Sequence, residues 1–149
     1  MRAVGSAGAG FLLSVLWFDL MFDVQARGHA GADVPAAALA SISAYYARVT
    51  TAARPMNLLI AAVMVITIGA LVAELARSEL PPGRAGLSLA LTIGAVGLAA
   101  GRTVRNAQRL GARLDDAGQQ SRLARTILRD HLVCLVAIGA VVVLQVAPA

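Results

Sequence analysis

Two aspartates stand where a membrane sequence rarely tolerates them. Asp19 and Asp23 close an otherwise apolar run and lie four residues apart, so on a helix they share one face. A carboxylate near membrane depth costs about 2.5–3.5 kcal/mol on insertion scales and is expected to face protein or water. Three chemistries are open to this pair. It can bind arginines of other helices and fix a bundle, act as a catalytic base or proton carrier, or ligate a metal. Asp23 also precedes Arg27 by four, an ordinary intrahelical pairing distance. The second reactive group is His131, in the run Leu128-Arg129-Asp130-His131-Leu132. An imidazole with an unperturbed pKa of about 6.5 suits proton transfer, haem or metal ligation, or simple capping of a helix start. Arg129 and His131 lie about 200° apart on a helix at 100° per residue, so at most one of them is expected to face a bundle centre. Cys134, one turn further on, reads as a small packing residue. It is the single cysteine, which excludes an internal disulfide, and no Cys/His spacing suggests a metal site.

The elements that must carry these groups follow from composition. Of 149 residues, 58% are hydrophobic and only 14% are charged, against about 25% charged in a soluble domain. Mean hydropathy is +0.74. Disorder, a nucleic-acid-binding arm and an ordinary soluble globule are excluded. The expected fold is all-α: an integral membrane four-helix bundle forming one domain over residues 1–149. Its spans are predicted at about 7–26, 55–75, 85–104 and 126–147, each near the ~20 apolar residues a crossing requires. No segment alternates with the period of a barrel strand. The first window also resembles a secretory signal, with small residues near Ala30 to Ala32, but its two aspartates argue against that. After the breakers Gly28, Gly31 and Pro35, Val34 to Thr50 reads as an amphipathic helix between the first two spans. Val34, Ala38, Ile42, Tyr45 and Val49 form its apolar stripe, and Tyr45 and Tyr46 suit a membrane interface. Pro81-Pro82-Gly83 predicts a tight turn between spans two and three. Arg105 to Arg125 should extend spans three and four beyond the bilayer, with a break near Asp115 to Gly118.

All 13 basic residues are arginine. With four spans, Arg27, Arg48, Arg54, Arg102, Arg105, Arg109, Arg113, Arg122, Arg125 and Arg129 fall on one side, and Arg2, Arg77 and Arg84 on the other. The positive-inside rule places the first group in the cytoplasm and both termini on the non-cytoplasmic side of the cell membrane. Asp19 and Asp23 then meet Arg54 and Asn57 at the start of span two. Arg102, Arg105 and Asn106 arrive from the end of span three, and Arg129, Asp130 and His131 from the start of span four. The opposite half carries only Glu74, Arg77 and Glu79, expected at its rim. One polar cluster on the cytoplasmic side is predicted, holding Asp19, Asp23, Asn106 and at least one of Arg105 and Arg129. The stripes Arg102/Arg105/Arg109 and Arg122/Arg125/Arg129 suit lipid headgroups, opposing acids, or an anionic substrate.

At Arg105-Asn106-Ala107-Gln108-Arg109-Leu110 and Arg129-Asp130-His131 the chain resembles the anthrone-oxygenase-like family of small four-helix membrane proteins. Asn106 and His131 match the Asn near the end of helix three and the His at the start of helix four. The Arg that the family often carries two residues after the His is Val133 here, and the aromatic residues before it are missing. The resemblance implies, for some members, an oxygenase of polycyclic phenols. The leading expectation is therefore a membrane enzyme acting on a lipophilic aromatic substrate. Asp19 or His131 would take a proton, Arg129 or Arg105 would steady the anion, and Asp23, Asn57, Asn106 and Asp130 would line the site. The alternatives are a non-catalytic accessory or assembly subunit and a proton carrier. Expected partners are the bilayer, a lipophilic small molecule, and further copies or a larger membrane complex; nucleic acid is not expected. No cofactor is assigned.

Overall fold

A computed structural model describes residues 1–28 and 33–147, without the side chain of Arg54. Gly31 and the Ala30 to Ala32 stretch lie outside the described residues. The described chain is helical throughout: α1 (Arg2–Asp23) with a 3₁₀ turn at Val24–Ala26, α2 (Ala36–Thr51), α3 (Arg54–Arg77), α4 (Pro82–Leu98), a π-helical segment at Ala99–Thr103, α5 (Val104–Ala112) and α6 (Ala117–Val146). Four stretches are long and apolar enough to cross a membrane: Arg2–Ala26, Pro55–Arg77, Pro82–Ala112 and Ala117–Val146. The third is α4, the π segment and α5 run together. The protein is a multi-pass membrane protein of the expected all-α class. Large apolar side chains stand exposed along these stretches, among them Trp17, Phe18, Leu58, Val65, Val136 and Val143. That arrangement suits hydrocarbon and no aqueous phase.

The third and fourth spans are 31 and 30 residues long. At 1.5 Å per residue each reaches about 45 Å, well past a hydrocarbon core of about 30 Å. The excess lies at the arginine-rich end, as the polar sequence there requires. The break falls at Arg113–Asp116. Arg113 adopts the left-handed conformation that ends α5, and the Asp116 side chain caps α6 by accepting from Gln119 N at 2.8 Å. Arg109 and Asp115 close the gap with two hydrogen bonds of 2.9 and 2.7 Å.

Two clusters fill the interior. Ala9, Leu12, Ala95, Cys134, Ile138 and Val141 join α1, α4 and α6 along the spans. The second lies at the arginine-rich end, where Leu39, Ile42 and Tyr46 of α2 pack on Ala107 and Leu110 of α5 and on Leu123, Ala124 and Ile127 of α6. The α2 stripe is thus spent on protein: Val34 and Ile42 are buried, with Ala38, Tyr45 and Val49 packed beside them. Polar contacts hold α2 in place. Val34 N donates to Ser121 Oγ at 2.9 Å. Arg113 Nε donates to Ser43 Oγ at 2.6 Å and its Nη2 to Ala40 O at 2.7 Å.

Met1, Ala147 and the α3–α4 turn occupy the other end of the bundle. The terminal amine sits 2.9 Å from Glu79 Oε2, and Arg2 Nε donates to Gln145 O at 2.6 Å. Glu74 is not at the rim as expected. It is fully buried and accepts from Gln145 Nε2 at 2.9 Å. Gly5 of α1 makes room for it, since a Cβ there would stand 2.8 Å from Glu74 Oε1. A charge on an apolar helix carries no sign of whether a neighbour offers a notch, so sequence placed it by distance from the turn alone.

Candidate functional site

The polar groups gather where α1 ends, α2 crosses and α6 enters the apolar layer. Asp23 lies in the last turn of α1 and is fully buried. Its Oδ2 is 2.6 Å from His131 Nδ1, and its Oδ1 accepts the Tyr46 hydroxyl at 2.6 Å. A carboxylate only accepts, so the facing Nδ1 carries the hydrogen, and in the neutral imidazole Nε2 then keeps its lone pair. One turn earlier, Asp19 Oδ1 accepts the Tyr45 hydroxyl at 2.5 Å. Its Oδ2 stands 3.9 Å from His131 Nε2, beyond hydrogen-bond range. Asp19 keeps a side-chain exposure of 19%, whereas Asp23 has none. Phe22 stacks on Tyr45 with ring centroids 4.1 Å apart, and Tyr45 meets Tyr46 edge to face at 5.2 Å. The result is a chain of Tyr46, Asp23 and His131 in the interior, with Asp19 and Tyr45 at its outer edge.

Helix phase decides who joins. His131 faces inward and is buried, so Arg129, about 200° away, is exposed. Asp130 is also buried, but it faces α4 and the π segment. There it accepts two hydrogen bonds from Arg102, that from Nε at 2.9 Å, and one from Thr103 Oγ1 at 3.2 Å. Two adjacent residues reach one carboxylate because the π segment widens the turn that carries them, a feature often found at functional positions.

The expected cluster is therefore corrected in part. Asp19, Asp23 and His131 do come together. Asn106 is half-buried and bonds neither aspartate of the cluster. Arg105 is exposed and bonds the Gly101 carbonyl of its own helix. Arg129 turns to a different pocket. Asn57 is exposed, and its Nδ2 donates to Val49 O at the end of α2, at 2.7 Å. Asp130 forms its own ion pair with Arg102. The physical reason is common to all five. Depth along the bundle was readable, but each helix presents only one face inward at a given depth.

Tyr45 and Tyr46 are the residues that sequence reading missed as site members. Their placement on the amphipathic segment was the available signal. It gave an apolar face to the segment but no target for the hydroxyls. Burial raises the pKa of both phenols well above the ordinary value, and the adjacent carboxylate, Asp19 for Tyr45 and Asp23 for Tyr46, adds to the shift. Above pH of about 10, where a free tyrosine ionises, the unfolded chain loses protons that the folded chain keeps. Stability is then undiminished below that pH and falls as pH rises through it. These are the chain's two tyrosines, so the phenolate absorbance reads them directly. It should stay flat through the normal range and rise only as the protein unfolds. A titration with the midpoint of free tyrosine would show that the carboxylates do not hold these hydroxyls.

Among the described residues no group of three His, Cys, Asp or Glu side chains is placed to hold a metal ion. Comparisons of the chain with protein-family models, with curated proteins and with solved structures return no match.

Proposed function

We propose that this chain is a membrane enzyme in which His131 transfers a proton to or from a lipophilic aromatic substrate. The observation that carries the reading is the 2.6 Å contact between His131 Nδ1 and the fully buried Asp23. A carboxylate on Nδ1 fixes the tautomer and ring orientation and leaves Nε2 as the base. Tyr46 holds the other carboxylate oxygen, so Asp23 cannot swing away. Nε2 looks toward Asp19, the partly exposed edge of the cluster, with Phe22 and Tyr45 forming an aromatic wall beside it. A flat, apolar substrate carrying a phenol or an activated C–H group would reach that edge from the bilayer. Removal of its proton to Nε2 would leave an electron-rich anion. An anthrone-type anion reacts with dioxygen to give the quinone and water, which is the oxygenase chemistry that the family resemblance implies. The excess of arginine at this end supports a cytoplasmic orientation of the site in the cell membrane, with both termini outside and α2 near the interface.

The test is quinone formation from anthrone, in air, by the purified protein in mild detergent. The wild type should exceed the detergent blank, and His131→Asn should lose about 10²–10⁴-fold, the usual contribution of a positioned acid–base group. A wild-type rate equal to the blank, or an undiminished His131→Asn rate, would overturn the assignment.

A further inference from the structure

The arginines of α6 are gathered on one side. Arg122, Arg125 and Arg129 follow at spacings of three and four, one stripe on a helix. Arg102, carried by the π segment, arrives beside them. With Thr126 these four arginines line a pocket of about 430 Å³. Its wall is built. Arg102 is clamped by the buried Asp130 through two hydrogen bonds, yet its side chain stays 47% exposed. Arg122 Nε donates to Gln119 Oε1 at 3.0 Å, and Thr126 Oγ1 is held by the Arg122 carbonyl at 2.8 Å. A guanidinium is charged at every physiological pH. Arg102, Arg122 and Arg129 alone bring three such charges, and Asp130 offsets one. Like charges held around one concavity repel unless an anion sits among them.

The position of the pocket narrows the anion. From His131 onward α6 carries no charged residue, and Arg129 stands two residues before that point. The pocket thus opens where the helix leaves the hydrocarbon, at headgroup depth. Planar guanidinium forks match the oxygens of a phosphate two at a time, as they do those of a carboxylate, and four forks around one pocket suit a group with more oxygens than a carboxylate has. We propose that this pocket binds an anionic phosphate group, separately from the His131 site. Arg122, Arg125 and Arg129 contact it, and the Arg102–Asp130 pair forms its rigid side. The phosphate belongs either to a phospholipid headgroup or to a soluble molecule.

Thermal unfolding of the purified protein in a neutral detergent, at constant ionic strength set with chloride, tests this. The probes are dioctanoyl phosphatidylglycerol, dioctanoyl phosphatidylcholine, inorganic phosphate and a polyglutamate peptide. Phosphatidylglycerol or inorganic phosphate should raise Tm by about 3–6 °C, and phosphatidylcholine, whose choline cation opposes the arginines, should raise it much less. The rise should vanish in Arg122→Gln/Arg129→Gln and persist in Arg77→Gln at the far end. A response to the lipid alone identifies a headgroup site, and a response to inorganic phosphate a soluble ligand; both support the proposal. Should the double variant not fold, native mass spectrometry of the wild type replaces it, with retained phosphatidylglycerol over phosphatidylcholine as the expected result. No Tm response to either phosphate, an equal response in the double variant, no retained phosphatidylglycerol preference, or a response to polyglutamate alone would overturn it. Each readout is independent of anthrone turnover, so this proposal and the His131 reading fail separately.

Discussion

Asp23→Ala is expected to destabilise the folded protein by about 2–6 kcal/mol. The change strands two buried groups at once, the His131 Nδ1 hydrogen and the Tyr46 hydroxyl, both 2.6 Å from the carboxylate. Each orphaned buried donor costs about 1–3 kcal/mol. Asp19→Asn should cost under about 1 kcal/mol, because Asp19 is partly exposed and an amide oxygen can still accept from Tyr45. Asp23→Asn separates folding from chemistry. It keeps the shape and an acceptor for Tyr46. Its NH₂ now faces His131, so Nδ1 must accept and the ring hydrogen moves to Nε2. The base is lost, and turnover should fall by about 10²–10⁴-fold in a protein that still folds. Chemical or thermal unfolding in detergent, run beside the anthrone assay, checks the series. Equal stability of Asp23→Ala and Asp19→Asn would show that the buried couple does not hold the bundle.

Gly111→Ala should have the second largest effect, through a contact between backbones. A Cβ at Gly111 would stand 2.7 Å from Ala47 N and 2.9 Å from the Tyr46 carbonyl carbon. No side chain can rotate away there, so α2 must lift from α5. Overpacking of this kind costs about 1–3 kcal/mol. Its consequence is concentrated at α2, because α1, α3, α4 and α6 also pack directly on one another. Tyr46, next to the clash, would leave Asp23, and Tyr45 would leave Asp19. Hydrogen exchange should rise across residues 36–51 while the α3 span stays protected, and both phenols should then titrate nearer the ordinary range. Unchanged protection of α2 in Gly111→Ala would mean that the helices have room to spare.

Much of this molecule was legible along the chain. Uncharged runs of about twenty residues set the four spans, because a membrane leaves no other fate for them. The break before Gly118 and the apolar stripe from Val34 to Val49 also appear as expected, whereas the tight turn expected at Pro81-Pro82-Gly83 falls at Ser78–Pro81, with Pro82 and Gly83 already in the first turn of α4. The shared depth of Asp19, Asp23 and His131 was legible too, since a helix that ends in acids and one that starts with a histidine reach the same level, though the expected cluster named Asn106 and an arginine beside the aspartates. Other expectations failed on rotation about the helix axis. Arg129 and Asn106 sit at the right height on the wrong face, and Asp130 points to Arg102 one helix over. Glu74 was given a rim position and proves buried beside Gly5 and Gln145.

The sequence by itself determined which segments enter the membrane and at what level their polar residues lie, because hydropathy and rise per residue are properties of one helix at a time. Only the tertiary structure decided which of those residues touch. It turned α6 so that His131 meets Asp23 while Arg129 joins the arginine pocket. It also brought α2 down on α5, where Gly111 lets the two backbones close and the two tyrosines reach the aspartates. Such contacts depend on the azimuth of every helix, and azimuth is set by packing between helices, which no single segment encodes.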